Sequence, residues 1–132
     1  MKNIISARLA GYILLTALGL LIVFHVLVLA GIVPPDIVWG GQAAAPGGNP
    51  IVLELIALAL TIIFALIVWF RLRALDRGAV PGGLKIGIWI VFAYLAVNLL
   101  GNLASGVSAE NFIFAPVTLV LALLALRLAV EK

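Results

Sequence analysis

The chain contains no cysteine. Disulfide frameworks, thiolate metal sites and thiol redox relays are therefore excluded, and quinone-linked disulfide chemistry goes with them. Charge is almost as scarce. Only 10% of the residues are charged while 66% are hydrophobic, against roughly 25% and 45–50% in an average soluble domain. No soluble fold of 132 residues hides that much apolar surface, so the expected solvent is lipid. The catalytic signatures are missing too: there is no G-x-S-x-G, no H-E-x-x-H, no Walker loop and no haem-type histidine pair. The net charge of +3 is no nucleic-acid footprint, because the basic residues flank apolar runs and form no patch with interleaved aromatics.

A second absence is local. The stretch PPDIVWGGQAAAPGGNP, Pro34 to Pro50, holds an acid and a tryptophan but no lysine and no arginine. Its meaning depends on the apolar runs around it. Spanning the hydrocarbon takes about 20 apolar residues, and four runs qualify: Leu9–Val33, Ile51–Phe70, about Ile86–Ala104 and about Phe112–Val130. The first is too long for the core of a cleaved signal peptide. Lipid satisfies no backbone polar group, so all four are expected to be helices. Lys2 and Arg8 precede the first span, Arg71, Arg73, Arg77 and Lys85 fall between the second and third, and Arg127 and Lys132 close the fourth. The positive-inside rule puts these segments in the cytoplasm and the Pro34–Pro50 loop outside. A bias this complete implies a single orientation, unlike the dual topology of small multidrug transporters and fluoride channels. The expected architecture is an all-α, four-transmembrane-helix bundle with both termini cytoplasmic, forming one domain over residues 1–132.

Ionisable residues inside a span are functional candidates by default, and each has a plain alternative. His25 has no second ligand at metal spacing. It reads as a neutral imidazole bonding across the bundle, or as a proton-handling group. Glu54, one turn into the second span, caps its own helix N-terminus or is a buried carboxylate suited to proton coupling or cation binding. Asn98 and Asn102, at i, i+4, share one helix face as interhelical glue or as ligand contacts. The small row Ala93, Gly101 and Ser105 lets another helix approach. Ser108 is a candidate N-cap for a fourth helix opened by Glu110 and Asn111 in solvated capping roles. Pro116 starts or kinks that helix. Arg127 is expected to snorkel to the headgroups, and Asp76 reads as a solvated loop charge.

His25, Glu54, Asn98, Asn102 and Glu110 all map to the outer half, together with Asp36, Trp39 and Gln42 of the loop. Thr16, Thr61, Tyr12 and Tyr94 are the few polar features assigned to the inner half. The result is a polar cup at the outer face. Trp39 is an interfacial anchor or the plug of a folded-back lid, with Gly40 and Gly41 freeing the turn. Pro34 and Pro35 are expected to end the first helix, and AAAPGGNP reads as dispensable linker.

IVPPDIVWGGQ, the early glutamate of the second span, NLLGNLAS and FAPVTLVLALLALRLA together resemble a set of small bacterial membrane proteins. That set shares an I-P-x-x-x-W-G-G-like outer loop, a G-N-L third span and a P-x-T…R-L-A fourth span. The resemblance implies a four-helix fold in a bacterial cytoplasmic membrane. It groups Trp39, Gly40, Gly41, Glu54, Gly101 and Asn102 into one design and implies no reaction.

Three functions remain in view. The leading one is a non-enzymatic binding or transport module whose cup takes a small ligand, cation or proton on Glu54, His25, Asn98, Asn102 and Trp39. It needs no cofactor and no metal. The second is an accessory subunit of a larger membrane complex, with Ala7, Gly11 and Gly101 as partner contacts. The third is an intramembrane lipid or sterol isomerase using Glu54 and His25 as an acid–base pair. The expected partners are the bilayer and a homo-oligomer or larger complex, with no nucleic acid.

Overall fold

Four apolar runs become four long helices, and the first two of them begin and end on identifiable local devices. The computed structural model describes residues 5–43, 47–106 and 108–132. Helix α1 (Ala7–Leu29) starts on Ser6, whose Oγ accepts the Leu9 N–H at 3.2 Å. It ends on Gly31, which takes a left-handed φ of 74°. The Gly31 N–H bonds the Val28 carbonyl and the Ile32 N–H the Leu27 carbonyl, the paired closure of a Schellman motif. The helix therefore stops at the glycine, before the two prolines expected to end it.

Those prolines open a short helix instead. Helix α2 (Asp36–Ala43) begins as the Pro34 and Pro35 carbonyls accept from Ile37, Val38 and Trp39. Gly40 and Gly41 lie inside this helix and do not form the flexible turn expected of them. Residues 44–46 and the side chain of Gln42 are outside the described set, as is Lys2. The rest of the expected linker has a defined job. Asn49 Oδ1 caps helix α3 (Pro50–Asp76) by accepting from Ile51 and Val52 at 3.0 and 3.3 Å, and Pro50 takes the first helical turn, where its missing N–H costs nothing. At its far end α3 repeats the device of α1. Gly78, at φ 69°, follows the Arg77 cap, with Gly78 and Ala79 donating to Leu75 and Ala74.

Helix α4 (Gly82–Ala104) and helix α5 (Ala115–Ala129) complete the four, with a π-helical segment, Glu110–Phe114, leading directly into α5. Among the described residues there is no strand. All four long segments are long and apolar enough to cross a membrane. Leu20, Ile32 and Phe112 are 68, 69 and 81% exposed, a surface that suits lipid and not water.

The helices form a ring in which α1 packs on α3, α3 on α4, α4 on α5 and α5 back on α1. Gly11 lets α1 and α3 touch, since a Cβ there would stand 2.6 Å from Leu72 Cδ2. Ala7 is buried in the same core. Both small residues thus serve internal packing and not the partner contacts expected of them. Ala93 and Gly101 of the expected small seam are exposed, and a Cβ on Gly101 would meet nothing within 4 Å.

One end of the ring carries the termini and the α3–α4 connection. The other, here called the loop end, carries α2. At the termini end the basic residues are more buried than expected. Arg71, expected in a loop, is fully buried inside α3. Its Nη2 crosses the bundle to donate to the carbonyls of Leu128 and Glu131 at the end of α5. Arg127 does not snorkel: it is 4% exposed, donates from Nε to the Ile5 carbonyl at 2.8 Å and pairs through Nη1 with Glu131 Oε2 at 2.8 Å. Asp76 belongs to the last turn of α3 and pairs with Arg8 at 3.0 Å in an exposed position, a contact worth at most about 1 kcal/mol.

Candidate functional site

The inward stripe of each long helix follows the 3–4 residue spacing of a packed face, and each changes character at the loop end. On α1 the stripe runs Leu14, Leu18, Leu21 and then His25. On α4 it runs Ile88, Val91, Leu95 and then Asn98 and Asn102. On α3 the core positions Val68 and Phe64 lead to Thr61 and Glu54, and on α5 Leu121 leads to Thr118. Apart from the exposed Asn98, these polar residues are buried or half-buried, so the packing of the apolar half aims them at one another.

Glu54 is the centre of the result. It is 1% exposed, and its helix is capped by Asn49, which rules out the capping role. Oε1 is hydrogen-bonded to His25 Nδ1 of α1, and Oε2 accepts from Trp39 Nε1 of α2 at 2.6 Å. A buried carboxylate needs such partners. The bond occupies Nδ1 of the imidazole, and Nε2 is left for another partner. The Trp39 contact also answers the lid-or-anchor alternative: the indole turns inward and ties α2 to α3, and it is not a free interfacial anchor.

In front of this triad lies a cavity of about 190 Å³ lined by His25, Trp39, Thr61, Asn98, Asn102 and Glu110, among others. Its floor is apolar, made by Leu18, Leu95 and Leu121, each 5% exposed or less. Beyond the floor the core continues through Leu14, Val68, Val91 and Leu128. No polar path continues through the bundle from the cavity. A wider and more open hollow of about 390 Å³ sits at the termini end, between Trp69, Arg73, Arg77 and Leu84, and none of the candidate residues touches it.

Asn102 Nδ2 donates to Thr118 Oγ1 at 3.0 Å, and Thr118 Oγ1 donates to the Phe114 carbonyl at 2.7 Å. Asn102 is therefore interhelical glue that also faces the cavity. Asn98 lines the cavity with its side chain open. All five expected site residues thus meet at one place. Three are directly bonded and two stand on the opposing wall.

Three lining residues carry more than expected. Thr61 and Tyr94, assigned to the plain inner half, line the cavity, and Gly101 opens it where a packing seam was expected. Their signal was their place on the stripes, seven residues from Glu54 in the case of Thr61. Glu110 is half-buried in the cavity wall and not a solvated cap. The reason is Pro116. It has no N–H to give the Phe112 carbonyl, and its ring crowds that carbonyl. The chain takes a wide turn instead, with the Ala115 N–H bonding Glu110 five residues back. Ser108 does not cap this segment; Asn111 Nδ2 steadies it on the Ser105 carbonyl at 2.7 Å. Among the described residues no three His, Asp or Glu side chains gather in a way that could hold a metal.

Compared with family models, with curated proteins and with solved structures, the chain matches none. The function is therefore argued from the site alone.

Proposed function

We propose that this chain is a non-enzymatic, multi-pass protein of a bacterial cytoplasmic membrane, with both termini cytoplasmic, that binds a small ligand in the cavity at its outer face. Glu54 orients the imidazole of His25 and holds Trp39 over the site. Asn98 and Asn102 supply neutral donors and acceptors from the opposite wall. The observation that carries this reading is the Glu54 carboxylate, buried in a span yet bonded by two residues that both line a cavity. Mere glue would need no open volume in front of it. The closed apolar floor favours binding over conduction by a single copy. At about 190 Å³ the volume falls below the roughly 300–1,000 Å³ of drug-sized sites, so the ligand is small.

The carboxylate–imidazole pair favours one second reading, proton transfer to or from a bound ligand through Nε2. Ala7 and Gly11, the small residues that would have made partner contacts in an accessory subunit, are used inside the bundle.

Native mass spectrometry on protein taken from its own membranes in mild detergent tests the proposal. A small retained mass, lost on Glu54→Gln with the bundle still folded, is expected. A fixed protein partner at constant stoichiometry, with no small mass, would replace the binding reading by the accessory one. Turnover of the retained molecule by the pure protein would favour proton transfer.

A further inference from the structure

The walls of the cavity restrict the chemistry of its occupant. Each of the four spans contributes one aromatic ring: Phe24 from α1, Phe64 from α3, Tyr94 from α4 and Phe114 from the π-helical segment. They stand as two inclined pairs. Phe24 and Phe114 have centroids 6.1 Å apart at 57°, and Phe64 and Tyr94 are 5.0 Å apart at 66°. Trp39 of α2 adds a fifth ring. Among the described residues no lysine and no arginine lines the space. Glu110 does line it, and among the described residues its carboxylate has no cationic partner. Glu54 lies behind the wall, bonded to His25 and Trp39.

Each class of ligand meets these walls differently. An anion would face the Glu110 carboxyl group and aromatic walls with no lysine or arginine to compensate its charge. A neutral apolar molecule would strand the Glu110 carboxylate against it, at the cost of an unpaired buried charge. A bare metal ion lacks a donor set. An organic ammonium ion satisfies both features, because ring faces attract its diffuse positive charge and the carboxylate balances it. Its alkyl groups are cheap to take out of water.

We propose that the cavity binds a small organic ammonium ion, held by Phe24, Phe64, Tyr94, Phe114 and Trp39 and neutralised by Glu110. The proposal rests on the reading of the cavity as a ligand site. It also explains the wide turn before Pro116, which brings both Phe114 and Glu110 to the wall.

The test uses choline and its uncharged isostere 3,3-dimethyl-1-butanol, titrated calorimetrically into the full chain in dodecyl maltoside, a detergent with no ammonium group. Choline is expected to bind at least about tenfold more tightly than the isostere. Glu110→Gln and Tyr94→Leu are each expected to weaken choline about tenfold and to lower its affinity ratio to the isostere, with the variants still folded. Equal binding of the two probes, or variants without effect on their ratio, would overturn the ammonium assignment and leave the cavity a site for a neutral ligand. If neither probe binds, the assignment also fails. A native small mass still lost on Glu54→Gln would then keep the binding reading, and its absence would remove both.

Discussion

At the scale of the residue, the site depends on one buried acid with two partners. Glu54 is placed by its helix position and made tolerable by His25 and Trp39. Removing a donor while keeping the ring isolates that dependence. Trp39→Phe fills nearly the same space but leaves Oε2 of a buried carboxylate without its bond. It is expected to lower stability by about 1–3 kcal/mol, read as a lower thermal midpoint in detergent. An unchanged midpoint would mean that Oε2 reaches water and that Trp39 is not a structural tie. Arg71 makes the opposite case at the other end. Its Nη2 closes the last carbonyls of α5, while Nε and Nη1 have no partner among the described residues. Buried charge at this end holds the helix ends together and lines no cavity.

At the scale of the element, the π-helical segment matters most. Pro116 removes one backbone bond and widens the turn that carries Glu110 and Phe114 into the cavity wall. Pro116→Ala restores an N–H for the Phe112 carbonyl and permits a regular helix. The segment ahead of it would then rotate by about 100°, one residue's share of a turn. Stability is expected to hold or rise while the small bound mass is lost, and backbone chemical shifts across Glu110–Ala115 would report the change of helix type. Retention of the ligand with a regular helix would show that the wide turn is incidental. Helix α2 is the other element with a specific task. It makes its main contact with α3 and is tied there through Trp39.

At the scale of the whole molecule, the decisive property is asymmetry. The termini end is filled with apolar side chains and closed by Arg71 and Arg127, while the loop end holds the cavity and every candidate residue. The basic residues among those described lie toward the termini end. Reporter fusions check the orientation directly. Green fluorescent protein after Lys132 is expected to fluoresce, and alkaline phosphatase joined after Ala43 is expected to be active. The reverse pattern would put the cavity on the cytoplasmic side, and equal signals from both would indicate dual insertion.

The sequence by itself determined the four long helices and the grouping of His25, Glu54, Asn98 and Asn102 at one end of the bundle. Both follow from one-dimensional facts: the length of the apolar runs and the spacing of His25, Glu54, Asn98 and Asn102 along them. It also contained the inward stripes, since Thr61 lies seven residues from Glu54 and Val68 seven further on, yet run length alone assigned Thr61 to a featureless half. Only the tertiary structure decided which groups meet. Whether Glu54 caps its helix or bonds to His25 and Trp39 depends on how α1, α2 and α3 rotate about their own axes, and packing contacts such as Gly11 against Leu72 set those rotations. The burial of Arg71 and Arg127 was hidden for the same reason. Apart from the i, i+4 pair of Arg127 with Glu131, their partners are main-chain carbonyls of Ile5, Leu128 and Glu131, and every residue carries such an acceptor, so the side-chain pattern does not announce those bonds.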